Sequence, residues 1–76
     1  MTVRVFLTSG GERVIVADGA RLDGELFRIT RWLHDLRRDE TMVTLWAETV
    51  VMAQVEDRGI VIEYMPGPGE PRRVTR

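Results

Sequence analysis

The chain has no cysteine, no lysine and no asparagine, and it holds a single serine, Ser9, and a single histidine, His34. Each gap removes a class of chemistry. Without cysteine there is no disulfide to staple a small fold, and the usual zinc sites, built from several Cys and His ligands, have no material. The missing thiols agree with a reducing compartment. No basic start leads into an apolar stretch of signal-peptide length, and no run approaches the roughly 18 residues of a membrane span. The expectation is a cytoplasmic protein with no membrane partner, or a virion-associated one if the source is a phage.

Scarcity also limits catalysis. Ser9 lies in a glycine turn, and His34 with its neighbour Asp35 cannot form a ready dyad, because adjacent side chains on a strand or helix point different ways. Asp39-Glu40 lacks the spacing of a calcium loop, and Glu56-Asp57 reads as a turn acid pair. Ser9-Gly10-Gly11 falls far short of a phosphate-cradling loop and has no lysine to meet a phosphate. Glu12, Asp18, Asp23 and Glu25 gather around turns, where acids serve turn chemistry. No catalytic, cofactor-binding or metal-binding residue is assigned, and an enzyme is not expected.

What remains is a chain of 76 residues with a formal charge of −1. That length makes one domain, which buries only about 60% of its unfolded surface. Residues 66–76, PGPGEPRRVTR, carry Arg72, Arg73 and Arg76 against Glu70, so the body holds the negative balance. Proline and glycine there end regular structure, and the expectation is a globular domain at 1–65 followed by a flexible arginine-bearing tail at 66–76. All basic residues are arginine, whose planar fork pairs with carboxylates and stacks on rings.

Val3 to Thr8 alternates Val3, Val5 and Leu7 against Arg4, Phe6 and Thr8, the period of a strand. Ser9-Gly10-Gly11-Glu12 turns the chain, and Arg13–Ala17 resumes the strand, giving a hairpin. Thr41–Ala47 alternates again, Val50–Val55 continues after a bend at Glu48-Thr49, and Ile60–Met65 follows a turn at residues 56–59. The stretch LDGELFRITRWLHDLRRDE, residues 22–40, is ambiguous. As a helix over 22–38, it sets Leu22, Leu26, Ile29, Leu33 and Leu36 at coiled-coil spacing, and only Phe27 is badly placed. As a strand over 25–33, it follows a tight turn at Asp23-Gly24 and puts Phe27, Ile29 and Leu33 on one face. Valine, isoleucine and threonine make up 21 of the 76 residues, and such side chains favour the pleated sheet. The strand is the favoured reading.

The fold expected is therefore mainly β, a small antiparallel meander or barrel of about five strands. The α+β alternative packs one amphipathic helix across a sheet. The order V-x-V-x-L, V-I-V-A-D, D-G-E-L-F-R-I-T-R and W-A-E-T-V-V-M-A-Q-V-E resembles short β-rich proteins of actinobacteria and their phages. That resemblance covers roughly residues 3–56 and implies a strand meander without an assigned activity. The segment WLHDLRRDE is longer than the pattern requires, as an extended hairpin loop or short helical turn would be.

Nearly every expected strand is apolar on both faces, which implies a second covered face. A non-catalytic protein-interaction or assembly module follows, with Phe6, Ile15, Trp32 and Trp46 as contact residues and self-association or another protein as partner. The alternative is a nucleic-acid-binding accessory. It would stack bases on Phe6, Trp32 or Trp46, and Arg37, Arg38, Arg72, Arg73 and Arg76 would meet phosphates.

Overall fold

The computed structural model describes residues 1–66, together with the backbone of residues 72–75. The N-terminal alternation forms the expected hairpin. Strand β1 (Thr2–Leu7) pairs antiparallel with β2 (Glu12–Ile15), Val3 facing Ile15 and Val5 facing Arg13. Gly10, at φ +93°, turns the chain and donates its N–H to the Leu7 carbonyl at 2.9 Å. Positive φ at this point suits glycine, which has no Cβ to clash.

Residues 22–40 form strands, not a helix. β3 (Gly19–Asp23), β4 (Leu26–Leu33) and β5 (Arg38–Trp46) make an antiparallel meander in which Ala20 faces Ile29 and Leu22 faces Phe27. The tight turn lies one residue later than the Asp23-Gly24 expected from the sequence. Asp23 pairs with Leu26, so Gly24-Glu25 is the two-residue loop. Gly24 takes φ +62° and Glu25 does not take a positive φ, the pattern of a type II′ turn, which wants glycine first. Asp23 thereby stays in its strand, and its carboxylate accepts from Arg28 Nε at 2.8 Å. The long segment at WLHDLRRDE is an extension of the β4–β5 hairpin. It closes through the loop His34–Arg37, with Arg37 at φ +50°.

A 3-10 turn, Ala47–Thr49, carries the chain to β6 (Val50–Asp57), which returns to pair with β1. β7 (Ile60–Tyr64) pairs with β6, and the backbone of β8 (Arg72–Thr75) pairs with β7. The protein is thus mainly β, in two antiparallel sheets ordered β2-β1-β6-β7-β8 and β3-β4-β5, and not one closed barrel. Of the expected tail at 66–76, residues 67–71 and 76 lie outside the described residues. The register of β8 sets Arg72 opposite Glu63 and Val74 opposite Val61.

The sheets face each other across one core. Val3, Val5, Val50, Ala53 and Val55 come from the larger sheet, and Ala20, Phe27 and Ile29 from the smaller, with Ala17 between them. Leu7, Ile15, Val43, Leu45 and Tyr64 pack around its margin. Burying the valine, isoleucine and phenylalanine side chains of this core stabilises by about 1.5–3 kcal/mol each. Alternation then fixes what each sheet shows on its far side. On the larger sheet, Val61 and Glu63 are buried on that far side too, and Gln54 Nε2 donates to the Glu63 carboxylate at 3.2 Å. No helix of the described residues is long and apolar enough to cross a membrane.

Candidate interaction face

Directly paired residues on antiparallel strands project from the same face. Because Phe27, Ile29, Val43 and Leu45 point into the core, the residues alternating with them point away. On β4 these are Leu26, Arg28, Thr30 and Trp32. Their partners are Asp23, Arg21 and Gly19 on β3, and Trp46, Thr44, Thr41 and Asp39 on β5. The outer face of the smaller sheet therefore carries both tryptophans. Trp46 is 58% exposed and Trp32 is 40% exposed. Leu26, opposite Trp46, and Trp32 lie six positions apart on β4, about 20 Å at the rise of a strand.

Each tryptophan is set on a fixed backbone. After Trp46 the chain leaves the sheet, and two bonds hold that corner. Ala47 N–H donates to the Glu25 carbonyl at 2.9 Å, and Thr49 Oγ1 donates to the Trp46 carbonyl at 2.7 Å. An open depression of about 430 Å³ lies there, lined by Gly24, Glu25, Trp46, Ala47 and Glu48. At the far end, Trp32 N–H donates to Asp18 Oδ2 at 2.6 Å, and its indole stands edge-on to His34 with ring centres 6.5 Å apart. Between the tryptophans, Arg21 stands opposite Arg28. Like charges in that relation destabilise a sheet. Asp23 pairs with Arg28, and among the described residues Arg21 has no ion pair.

The other expected contact residues lie elsewhere. Phe6 is half-buried on the far side of the larger sheet, opposite Met52, and Ile15 packs against the core. Neither joins the tryptophans. Arg37 and Arg38 are exposed at the β4–β5 tip, within four residues of Asp35, Asp39 and Glu40. Arg72 and Arg73 belong to the backbone of β8, and Arg76 lies outside the described residues. Arg21 and Arg28 were missed by sequence reasoning. Only the strand register, which sets them face to face, could have singled them out.

The residues considered for chemistry stay apart. Ser9 lies in the β1–β2 turn of one sheet and His34 in the β4–β5 loop of the other. Glu12 pairs with Arg4 across the hairpin, and Asp23 pairs with Arg28. Among the described residues no three His, Asp or Glu converge on a point where a metal could sit. In comparisons with known proteins, no family model, no curated protein and no solved structure matches the chain.

Proposed function

We propose that the protein is a non-catalytic interaction module, an assembly or accessory component, which takes a protein partner on the outer face of its smaller sheet. One observation carries this reading: Trp32 and Trp46 both stand exposed on that face, on backbone held by hydrogen bonds. Tryptophan is enriched where interfaces concentrate their binding energy, because it buries a large rigid area at little entropic cost. Leu26, directly opposite Trp46, and the open depression beside that indole add shape to an otherwise flat surface. Origin in an actinobacterium or its phage belongs to the same proposal and rests on the resemblance in sequence alone.

The experiment is affinity capture from the source cells with nuclease present, comparing the wild type with the double variant Trp32→Glu, Trp46→Glu. A protein retained by the wild type and lost by a folded double variant supports the reading. Equal retention by both overturns it.

A second reading, an accessory that binds single-stranded nucleic acid, is favoured by the Arg21–Arg28 pair between the two indoles. Phosphate would relieve the repulsion and bases would stack on the rings. Against it, Glu25, Glu48 and Asp39 flank the tryptophans and repel a polyanion. Binding of a labelled oligonucleotide that weakens steeply with salt and is lost in Arg21→Glu would favour this reading over the first.

A further inference from the structure

The larger sheet has an edge at β2, whose first half is the charged Glu12-Arg13 and whose second half is the apolar Val14-Ile15. A free edge exposes unpaired N–H and C=O groups and is normally blunted by charge, proline or a bulge. On the smaller sheet, β5 begins Arg38-Asp39-Glu40 and is bulged at Met42, which has no partner between the pairs Ile29–Val43 and Thr30–Thr41. β3 carries Arg21 and Asp23. β2 pairs with β1 without a register shift, and it shows Val14 at 56% and Val16 just beyond it at 77% exposure.

The phase of the hairpin says which groups face outward. Leu7 N–H donates to the Gly11 carbonyl at 2.9 Å, and Val5 and Val3 continue that series against Arg13 and Ile15. In an antiparallel pair such bonded positions alternate. Glu12 and Val14 therefore turn their N–H and C=O away from β1, and an extended Val16 continues the row.

We propose that a second copy of this chain pairs with β2 across a two-fold axis at Val14, joining the two larger sheets into one. Charge selects that register. An axis at Glu12 or Arg13 sets identical charges face to face, and an axis at Ile15 brings Glu12 against Asp18. With the axis at Val14, the residue meets the partner's Val14, Arg13 meets the partner's Ile15, and Glu12 meets the partner's Val16. No like charges oppose each other, and every outward group from Glu12 to Val16 gains a bond. Val14 is then covered by the partner's Val14, and Val16 lies opposite the partner's Glu12 and diagonal to its Val14. This association uses the sheet opposite the tryptophan face and leaves that face open, so it stands independently of the function proposed above.

The absence of cysteine gives a direct test. Antiparallel bonded partners lie about 5.5 Å apart at Cα, inside the roughly 4.4–6.8 Å that a disulfide spans. Under mild oxidation the full chain carrying Val14→Cys is expected to form a covalent dimer many times faster than the exposed control Val51→Cys. Sedimentation of the wild type from micromolar to near-millimolar concentration is expected to show a dimer, and Val14→Asp to show a folded monomer. A wild type that stays monomeric throughout overturns the proposal. So does a dimer that persists in Val14→Asp, or crosslinking no faster at Val14→Cys than at Val51→Cys.

Discussion

Asp18 holds Trp32 by the backbone. Its carboxylate Oδ2 accepts the Trp32 N–H at 2.6 Å, while its own N–H donates to the Thr30 carbonyl at 2.8 Å. A side chain thus continues the β3–β4 ladder beyond the start of β3 at Gly19. The connection out of the larger sheet and the far end of the tryptophan face are fixed by the same residue.

Replacing Asp18 with alanine leaves the Trp32 N–H to water and removes a bond to a charged acceptor. The expected cost is about 1–2 kcal/mol, because the site is exposed and water recovers part of the loss. Asp18→Asn retains an acceptor and is expected to recover more than half of it. Denaturant unfolding of both variants checks the order; equal stability of Asp18→Ala and the wild type would contradict the clamp.

Phe27 is fully buried at the centre of the core. Truncation to alanine removes a large apolar group and leaves a cavity, a loss of about 3–5 kcal/mol. A domain this small has roughly that much stability from its core. Phe27→Ala is therefore expected to be largely unfolded by circular dichroism at 25 °C, whereas Ile29→Val keeps the fold at a cost of about 1 kcal/mol.

That same residue shows why the middle of the chain was hard to read. Leu22, Leu26, Ile29, Leu33 and Leu36 satisfy a helical seam, yet Leu22 and Leu36 are exposed in the protein and Phe27, the one misfit of the helix, is fully buried. Phe27 and Ile29, both fully buried, share the core face of a strand, whereas a helix would point them to different sides. The N-terminal hairpin was legible, because alternation and glycine agree. The bulge at Met42 was not, since neither glycine nor proline marks it. The turn slipped by one residue because type II′ wants glycine first, where type I′ would have used Asp23 as well. Trp32 and Trp46 are both exposed; that they share a face follows from a register no single sequence displays.

Gly24 tests that turn. A Cβ there would meet nothing within 4 Å, but the backbone sits at φ +62°. Gly24→Ala is therefore expected to destabilise by about 1–2 kcal/mol through conformation alone, and Gly24→Asn by less, since asparagine tolerates this region. Thermal unfolding of the pair checks it. A neutral Gly24→Ala would mean the loop does not take this turn.

The exposed tryptophans make the opposite forecast. Trp46→Ala breaks no core contact, and surface changes of this kind usually stay within about 0.5 kcal/mol. Its unfolding midpoint is expected to match the wild type closely, and tryptophan emission of the wild type to be strongly quenched by added acrylamide. A large loss of stability would show that the indole packs in solution.

The central claim is that these two side chains bind a partner. The most direct measurement is the affinity of a captured protein for the wild type and for Trp46→Ala, by calorimetry. A buried aromatic anchor contributes about 2 kcal/mol or more, so Trp46→Ala is predicted to weaken binding by about thirtyfold or more while the fold stays intact. An unchanged affinity in both Trp46→Ala and Trp32→Ala would contradict the claim.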